Sequence, residues 1–464
     1  MYSRTIIKQL RKWREKENRK PLVIRGARQV GKTTVIKEFG KEFDHFIFLN
    51  LEKAKDRRAF EISDDVKEIM DYLCMTNRIA NRKDKQILLF IDEIQEMTEA
   101  VRILRYFYEE MPELFVIAAG SRLQSLVGSD KKLSFPVGRV EYMVLRPFSF
   151  TEYMEASGEE MMLECIRSLN VNSLLHVEVM RHFNTYALIG GMPEVVSSFL
   201  KNKDYVALTR IYNSLITSYI DDAEHYTRSG EQTNIIRHIL HTGWNEAGEA
   251  IKFARFGASR YSSTQVHEAM SLLERAFVLS LCYPTTSTLA PALPSYTRAP
   301  KLIWMDTGLA NYMAGVQQEY LQNRNLMDTW RGKAAEHIVA QQLRLLADEF
   351  NQESVSFWVR DKQGSTAEID FVWQQDGVVY PIEVKSGNNS KLRSLHSFVN
   401  TRYAAMQGHE FPEPITIRIW NEPYSVEHHA TCEGNRFTLI NLPFYYISLI
   451  PEIIRLTPGL GFSS

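Results

Sequence analysis

The chain has 464 residues, more than one hydrophobic core accommodates, so roughly two to four domains are expected. Hydrophobic residues make up 44% and charged residues 24%, an ordinary balance for a soluble globular protein. A formal net charge of −1 excludes an overall basic polyanion binder and leaves room only for a local basic face. No CxxC spacing relates Cys74, Cys165, Cys282 and Cys432. That argues against a zinc site or disulfide framework and for buried free thiols in a reducing compartment. The first residues lack the order of a signal peptide, and no apolar run approaches the ~18 residues of a membrane span. A cytoplasmic protein with no membrane partner is expected.

Ile6, Leu10 and Trp13 recur at helical spacing with Arg and Lys between them, which predicts an amphipathic first helix. Its basic residues read as a solvated face, with nucleic-acid contact as the other reading. Short apolar strands then alternate with polar helical stretches. Leu22 to Arg25 reads as strand and helix follows from Lys32; further strands fall at Phe46–Leu49, Ile87–Ile91 and Phe115–Ala119. This alternation predicts a parallel sheet covered on both faces.

Residues 161–260 read as mostly helical. Ser262 with Gln265 forms a capping box, and Val266, Ala269, Met270, Leu273, Ala276 and Phe277 follow at helical spacing. A strand over Val278–Cys282 completes a winged-helix-like pattern, which serves DNA or protein contact equally well. Pro284, Pro291, Pro294 and Pro300 mark a loop or wing. Gly332–Leu346 reads as helix, and Val355–Val359, Glu368–Trp373 and Val378–Lys385 as strands of a second α/β unit. Three domains are expected, over 1–160, 161–315 and 316–464.

Gly26-Ala27-Arg28-Gln29-Val30-Gly31-Lys32-Thr33 fits G-x-x-x-x-G-K-[ST], after an apolar strand and before a helix, with Thr34 next. Glycines let the backbone curl so that its N–H groups aim at phosphate oxygens, and the helix N-terminus favours the anion. Lys32 supplies charge for the β and γ phosphates of ATP, and Thr33 a hydroxyl for Mg2+. Ile87 to Ile91 ends in Asp92 and Glu93, at the strand end that faces a ligand crevice. Asp92 is expected to hold the metal through water, and Glu93 to orient and deprotonate the attacking water. After Phe115–Ala119, Ser121 is placed to read the γ phosphate. Arg122 and Arg139 are candidates to stabilise developing charge, in cis or from a neighbour in a homo-oligomer. A surface ion pair is the other reading for either arginine.

At these residues the chain resembles an AAA+ ATPase. More specifically, it resembles a group of prokaryotic ATP-binding proteins with a helical and winged-helix middle and a C-terminal domain like PD-(D/E)xK nucleases. The stretches that carry the resemblance are Arg25–Thr33, Ile91-Asp92-Glu93-Ile94-Gln95, Gly138-Arg139, Leu145-Arg146-Pro147-Phe148-Ser149-Phe150, Gly190-Gly191-Met192-Pro193, Met305-Asp306-Thr307-Gly308-Leu309 and Ile382-Glu383-Val384-Lys385. The fold it implies is a P-loop NTPase parallel sheet, a helical and winged-helix region, and a restriction-endonuclease-like α/β domain. The last sixty residues carry no pattern that places them.

Asp370 and Glu383-Val384-Lys385 give D-x12-E-x-K. Strand side chains alternate faces, so Asp370 points away from Ile369, Phe371 and Trp373, while Glu383 and Lys385 share a face. Glu336 lies near the apolar stripe of its helix, and His337 lines up with Gln341 and Arg344 on a solvent face. In the family likeness Glu336, Asp370 and Glu383 hold Mg2+ through oxygen ligands, and Lys385 orients the nucleophilic hydroxide. Ile369-Asp370 replaces the usual Pro-Asp dipeptide. A salt-bridged sheet face, or a retained fold without activity, is the alternative. The expected activity is ATP hydrolysis, serving DNA binding or cleavage, a nucleotide-controlled interaction switch, or remodelling of protein partners.

Overall fold

The computed structural model describes residues 2–80, 85–120, 136, 138–222, 227, 229–323, 333–349, 355–362, 367–385, 392–406 and 411–457. They divide into two compact units. The first comprises Met1–Pro147, Ser214–Arg237 and Glu268–Val278; the second comprises Phe148–Asn213, His238–His267 and Leu279–Ser464.

In the first unit five strands, β1 (Leu22–Arg25), β2 (His45–Asn50), β3 (Ile87–Asp92), β4 (Phe115–Ala119) and β5 (Glu141–Val144), form one sheet in the order β2-β3-β4-β1-β5. Every neighbouring pair is parallel. β3 and β4 are buried at every residue, the pattern of strands covered on both faces, which their unbroken apolar runs require. One face packs Val23, Ile47, Leu89, Ile91 and Val116 against Ile69, Met70 and Leu73 of the helix Val66–Thr76 and Leu104 and Phe107 of the helix Thr98–Glu110. β5 was not apparent from the sequence, because Glu-Tyr-Met-Val is only partly buried at the sheet edge. The parallel order matters for function. β1 and β3 flank β4, so their C-terminal ends lie at one edge of the sheet, ~10 Å apart at the usual strand spacing.

The helical stretch contains Ser173–Ile189, Pro193–Asn202, Leu208–Asp221, Gly230–Thr242 and Ser263–Arg275. Among the described residues no helix is long and apolar enough to cross a membrane.

The second unit holds an antiparallel pair, β6 (Leu279–Cys282) with β8 (Lys301–Trp304), and a seven-stranded mixed sheet. The sheet's strands are β7 (Pro284–Thr285), β9 (Ser356–Val359), β10 (Glu368–Gln375), β11 (Val378–Val384), β12 (Ile415–Trp420), β13 (Ser425–Ala430) and β14 (Arg436–Pro443), in the order β13-β14-β12-β11-β10-β9-β7. β9, β10 and β11 run antiparallel in sequence. Asp376 and Gly377 both have positive φ, 50° and 75°, which gives the two-residue turn that matches strand twist. The helix Arg393–Ala405 then carries the chain across to β12, parallel to β11. The unplaced last sixty residues thus supply β12, β13 and β14, half hidden from pattern reading because β12 and β14 are buried on both faces.

Three expectations need correction. His337 and Gln341 do not face solvent. Both are buried, and His337 Nε2 accepts from the Trp304 N–H at 2.9 Å while Gln341 Oε1 accepts from the Thr307 N–H at 2.7 Å. Helical spacing gave the face correctly, but its polar residues turn inward to satisfy backbone donors. Pro284 lies in the edge strand β7, where a proline removes no needed hydrogen bond, rather than in a loop. Cys74 and Cys282 are buried, but Cys165 is only half-buried and Cys432 is exposed.

The two glycine-containing motifs of the second unit interlock. The buried Asp306 carboxylate accepts from the Gly191 N–H at 2.6 Å and caps the helix Thr307–Met313 through the Leu309 N–H at 3.0 Å. A side chain on Gly308 would meet the Ile189 carbonyl oxygen at 1.9 Å, so only glycine permits this approach. Burial pushes the Asp306 carboxyl up from 3.8 to about 6, against the pull of the three N–H groups of Gly191, Leu309 and Gly308. The native state therefore holds this proton more tightly than the unfolded chain, and its contribution is full below the unfolded value and lost as pH rises through the folded one. Measured by urea unfolding, the wild type should lose stability relative to Asp306→Asn as pH rises from 3.8 to about 6. A difference that stays constant across that window would remove Asp306 from the account.

Candidate functional site

β1 ends at Arg25, and the loop that follows is shaped by three left-handed or extended positive φ values: Gly26 (146°), Gln29 (64°) and Gly31 (95°). A Cβ on Gly26 would meet the Leu145 carbonyl oxygen at 2.1 Å, so the backbone passes where no side chain fits. Gly31 caps the helix Lys32–Phe39, whose first N–H groups point into the loop. Val30 is buried and its carbonyl accepts from Arg4 Nη1 at 3.2 Å; Ala27 is buried beside it, and Thr34 is exposed on the helix's first turn.

Lys32 is folded back on the loop. Its Nζ donates to the carbonyls of Gly26 at 2.9 Å and Ala27 at 2.8 Å. Burial lowers its pKa to about 8, with Glu93 and Asp92 acting in the opposite direction. Thr33 Oγ1 donates to Asp92 Oδ2 at 2.7 Å, so the hydroxyl and carboxylate expected to share a metal already touch. Burial raises the Asp92 carboxyl, and the Thr33 hydrogen bond holds it down. Glu93 stands immediately after β3 in the left-handed region, with φ 51°, which turns its side chain away from the strand's alternation. Its Oε2 accepts from Gln95 Nε2 at 2.6 Å.

Two further residues bear on the loop. Tyr219, on the helix Leu208–Asp221, donates its hydroxyl to the Arg28 carbonyl at 2.8 Å. Asp222, just beyond that helix and buried, pairs with the Arg28 guanidinium. The sequence offered only a Tyr-Ile-Asp-Asp run, nearly two hundred residues away, as a signal. Ser121 and Arg122 lie outside the described residues. Arg139 is in a surface cluster, its Nε donating to Glu109 Oε1 at 2.8 Å, and Arg105 shares that oxygen at 3.0 Å.

The second unit brings Glu336, Asp370 and Glu383 within electrostatic reach of one another. Glu336 comes from the helix Lys333–Glu349, Asp370 from β10 and Glu383 from β11. Asp370 Oδ2 accepts from the Val384 N–H at 2.7 Å. Lys385 Nζ pairs with Glu383 Oε1, while the buried Glu383 Oε2 has no hydrogen-bond partner among the described residues. Burial, then the charge of Asp370, pushes both Glu336 and Glu383 up to about 7. Burial also raises Asp370.

Pattern reading missed two members. Lys301 of β8, only 3% exposed, places Nζ 2.9 Å from Glu336, 2.8 Å from Glu368 and 3.9 Å from Asp370. Burial opposes its charge, but Glu336, Asp370 and Glu368 together outweigh that and hold it well above the ordinary lysine range. Glu368 was legible in principle, two residues before Asp370 and on its face. Lys301 was not, being one lysine ahead of an apolar run. Among the described residues no three His, Cys, Asp or Glu side chains are placed to hold a metal ion. With the Lys301 ammonium inside the group, Mg2+ does not fit there.

A parallel sheet with this loop on β1 and paired carboxylates ending β3 has the build of a P-loop fold. Residues 18–154 match the family model of an AAA domain. Residues 180–320 and 331–445 match models of two domains of unknown function, DUF8612 and DUF4143. No curated protein matches the chain. Among solved structures it is similar to a Walker-type ATPase of Pyrococcus abyssi, with 15% identity, 68% of this chain and 96% of that one covered, and a TM-score of 0.42. It is also similar to the ORC1 protein of Aeropyrum pernix in complex with DNA, at 11% identity, 69% and 92% coverage and a TM-score of 0.23. A third is a signal transduction ATPase with numerous domains and a tetratricopeptide repeat sensor from Pyrococcus horikoshii. It has 11% identity, 72% and 47% coverage and a TM-score of 0.28.

The Arg28–Asp222 pair makes a testable claim about the loop. Arg28 is 48% exposed, which weakens the pair, but Asp222 is buried and depends on it. Arg28→Ala should cost about 2 kcal/mol in urea unfolding, because it removes the ion-pair partner of a buried carboxylate. A cycle with Asp222→Ala should return a coupling of about 1 kcal/mol. A coupling of zero would mean the pair does not hold the loop.

Proposed function

We propose that this chain binds ATP with Mg2+ and hydrolyses it. The observation that carries the reading is the Thr33–Asp92 hydrogen bond of 2.7 Å, which joins the loop after β1 to the end of β3. Residues Gly26 to Thr33 hold the phosphates through backbone N–H groups, with Thr34 on the same helix turn. Lys32 exchanges the Gly26 and Ala27 carbonyls for phosphate oxygens. Thr33 and Asp92 supply the hard oxygen ligands that suit Mg2+, which neutralises and orients the phosphates when bound. Glu93 takes the proton of the water that attacks the γ phosphorus. The new P–O bond forms as the β–γ bridging P–O bond breaks, leaving ADP and phosphate. Gln95 fixes the Glu93 carboxylate. Ser121, Arg122 and Arg139, the last from a neighbouring copy in a homo-oligomer, are candidates to sense or stabilise the γ phosphate.

The nucleotide state is proposed to act on the C-terminal part of the chain. The order of helix Lys333–Glu349, β9, β10, β11, helix Arg393–Ala405 and β12, with Asp370 and Glu383 on adjacent antiparallel strands, supports a nuclease-like build. The helix Ser263–Arg275 leading into β6 and β8 supports a winged-helix module and DNA as a partner. A second reading has its own support. Lys301 among the carboxylates favours an ATP-dependent interaction switch on a catalytically silent nuclease-like scaffold.

Lys32→Ala should abolish ATP binding in a fluorescent-nucleotide titration. Glu93→Gln should keep binding and slow turnover by about a hundredfold or more, as loss of a general base does. Unchanged hydrolysis in both variants would sink the assignment. Cleavage of single- or double-stranded DNA with Mg2+ or Mn2+, lost in Asp370→Ala, would select the nuclease reading over the switch.

A further inference from the structure

The carboxylates of the second unit ask for a cation, and the fold brings one. Glu336, Glu368 and Asp370 arrive from a helix and a strand that are separated in the chain, and all three sit within 3.9 Å of Lys301 Nζ. A buried ammonium persists only where its lost hydration is compensated, and here two acids make close hydrogen-bonding contacts with it. Two aromatic rings also flank it. The rings of Phe357 and Phe371 lie 5.0 and 5.4 Å from Nζ, so part of the amine's surroundings is apolar. One buried oxygen of the cluster is unmatched among the described residues. Glu383 Oε2 is buried, near Asp370 and Glu336, and has no donor.

We propose that the Lys301 ammonium is the resident cation of this cluster, and that a divalent metal ion enters only in exchange for it. The proposal deepens the silent-scaffold reading and rests on it. A metal ion among the same oxygens would meet the ammonium at contact distance, with like charges beside a lysine only 3% exposed. Withdrawal of β8's lysine would leave four carboxylates, Glu336, Glu368, Asp370 and Glu383, as hard oxygen ligands of the kind that Mg2+ and Mn2+ take. The free oxygen of Glu383 is the ligand that Lys301 does not use.

The test uses Mn2+ alone on the nucleotide-free full chain, followed by electron paramagnetic resonance of the free ion and by thermal unfolding. The wild type should show no Mn2+ site that Asp370→Asn removes. Lys301→Met should gain one such site, at least tenfold tighter than any in the wild type. Mn2+ should raise its Tm by several degrees, and adding Asp370→Asn should cancel both effects. Where Lys301→Met does not fold alone, Lys301→Met with Glu368→Gln removes one of the stranded charges. Folding of either variant restored by Mn2+ supports the exchange, and no restoration overturns it. A folded Lys301→Met that gains no site also overturns it, while the silent-scaffold reading stands. An Asp370-dependent Mn2+ site in the wild type, with DNA cleavage, overturns both.

Discussion

The contact between Thr33 and Asp92 depends on strand order before it depends on either residue. A loop can meet the end of another strand only where both strands finish at the same edge. The parallel pairing of β1 and β3 with β4 between them creates that edge. The spacing leaves a gap that a threonine hydroxyl on the first helical turn and an aspartate at a strand end just close. Everything else around the loop serves to keep it there. Leu145 presses on Gly26, Arg4 ties down Val30, and Tyr219 and Asp222 hold Arg28. The loop is thus pre-formed around its own lysine, whose charge is kept on backbone carbonyls rather than in water.

The second unit handles charge differently. Its acids are gathered around one buried amine, and the buried Oε2 of Glu383 is left unmatched among the described residues. Two buried lysines thus sit in one chain with opposite surroundings: backbone carbonyls in the first unit, and carboxylates in the second. The first is short of an anion and the second is already neutralised in part.

How much of this was legible in the sequence follows from the range of each interaction. The placement of Gly26 to Thr33, Asp92 and Glu93 could be read because local chain geometry fixes it. The strands of the first sheet could be read because burial on both faces leaves continuous apolar runs. Asp370, Glu383 and Lys385 followed from alternation along two strands. The rest was hidden by distance. Lys301 meets Glu336 and Glu368 from far along the chain, and Tyr219 and Asp222 reach Arg28 across nearly two hundred residues. His337 shows a different failure. Its face was read correctly, but polarity was taken as exposure, where buried backbone donors at Trp304 and Thr307 required acceptors.

The interrupted composition of the first unit has a consequence for how the protein is made. Its sheet is complete once residue 147 has been synthesised, yet it also includes Ser214–Arg237 and Glu268–Val278. At the usual pace of translation the remaining pieces follow with a lag on the order of ten seconds. For that interval the nascent sheet lacks Tyr219 and Asp222, so the loop after β1 emerges from the ribosome without the residues that later fasten Arg28. Cutting the chain near residue 160 would reproduce that unfinished state permanently, rather than release a self-sufficient domain.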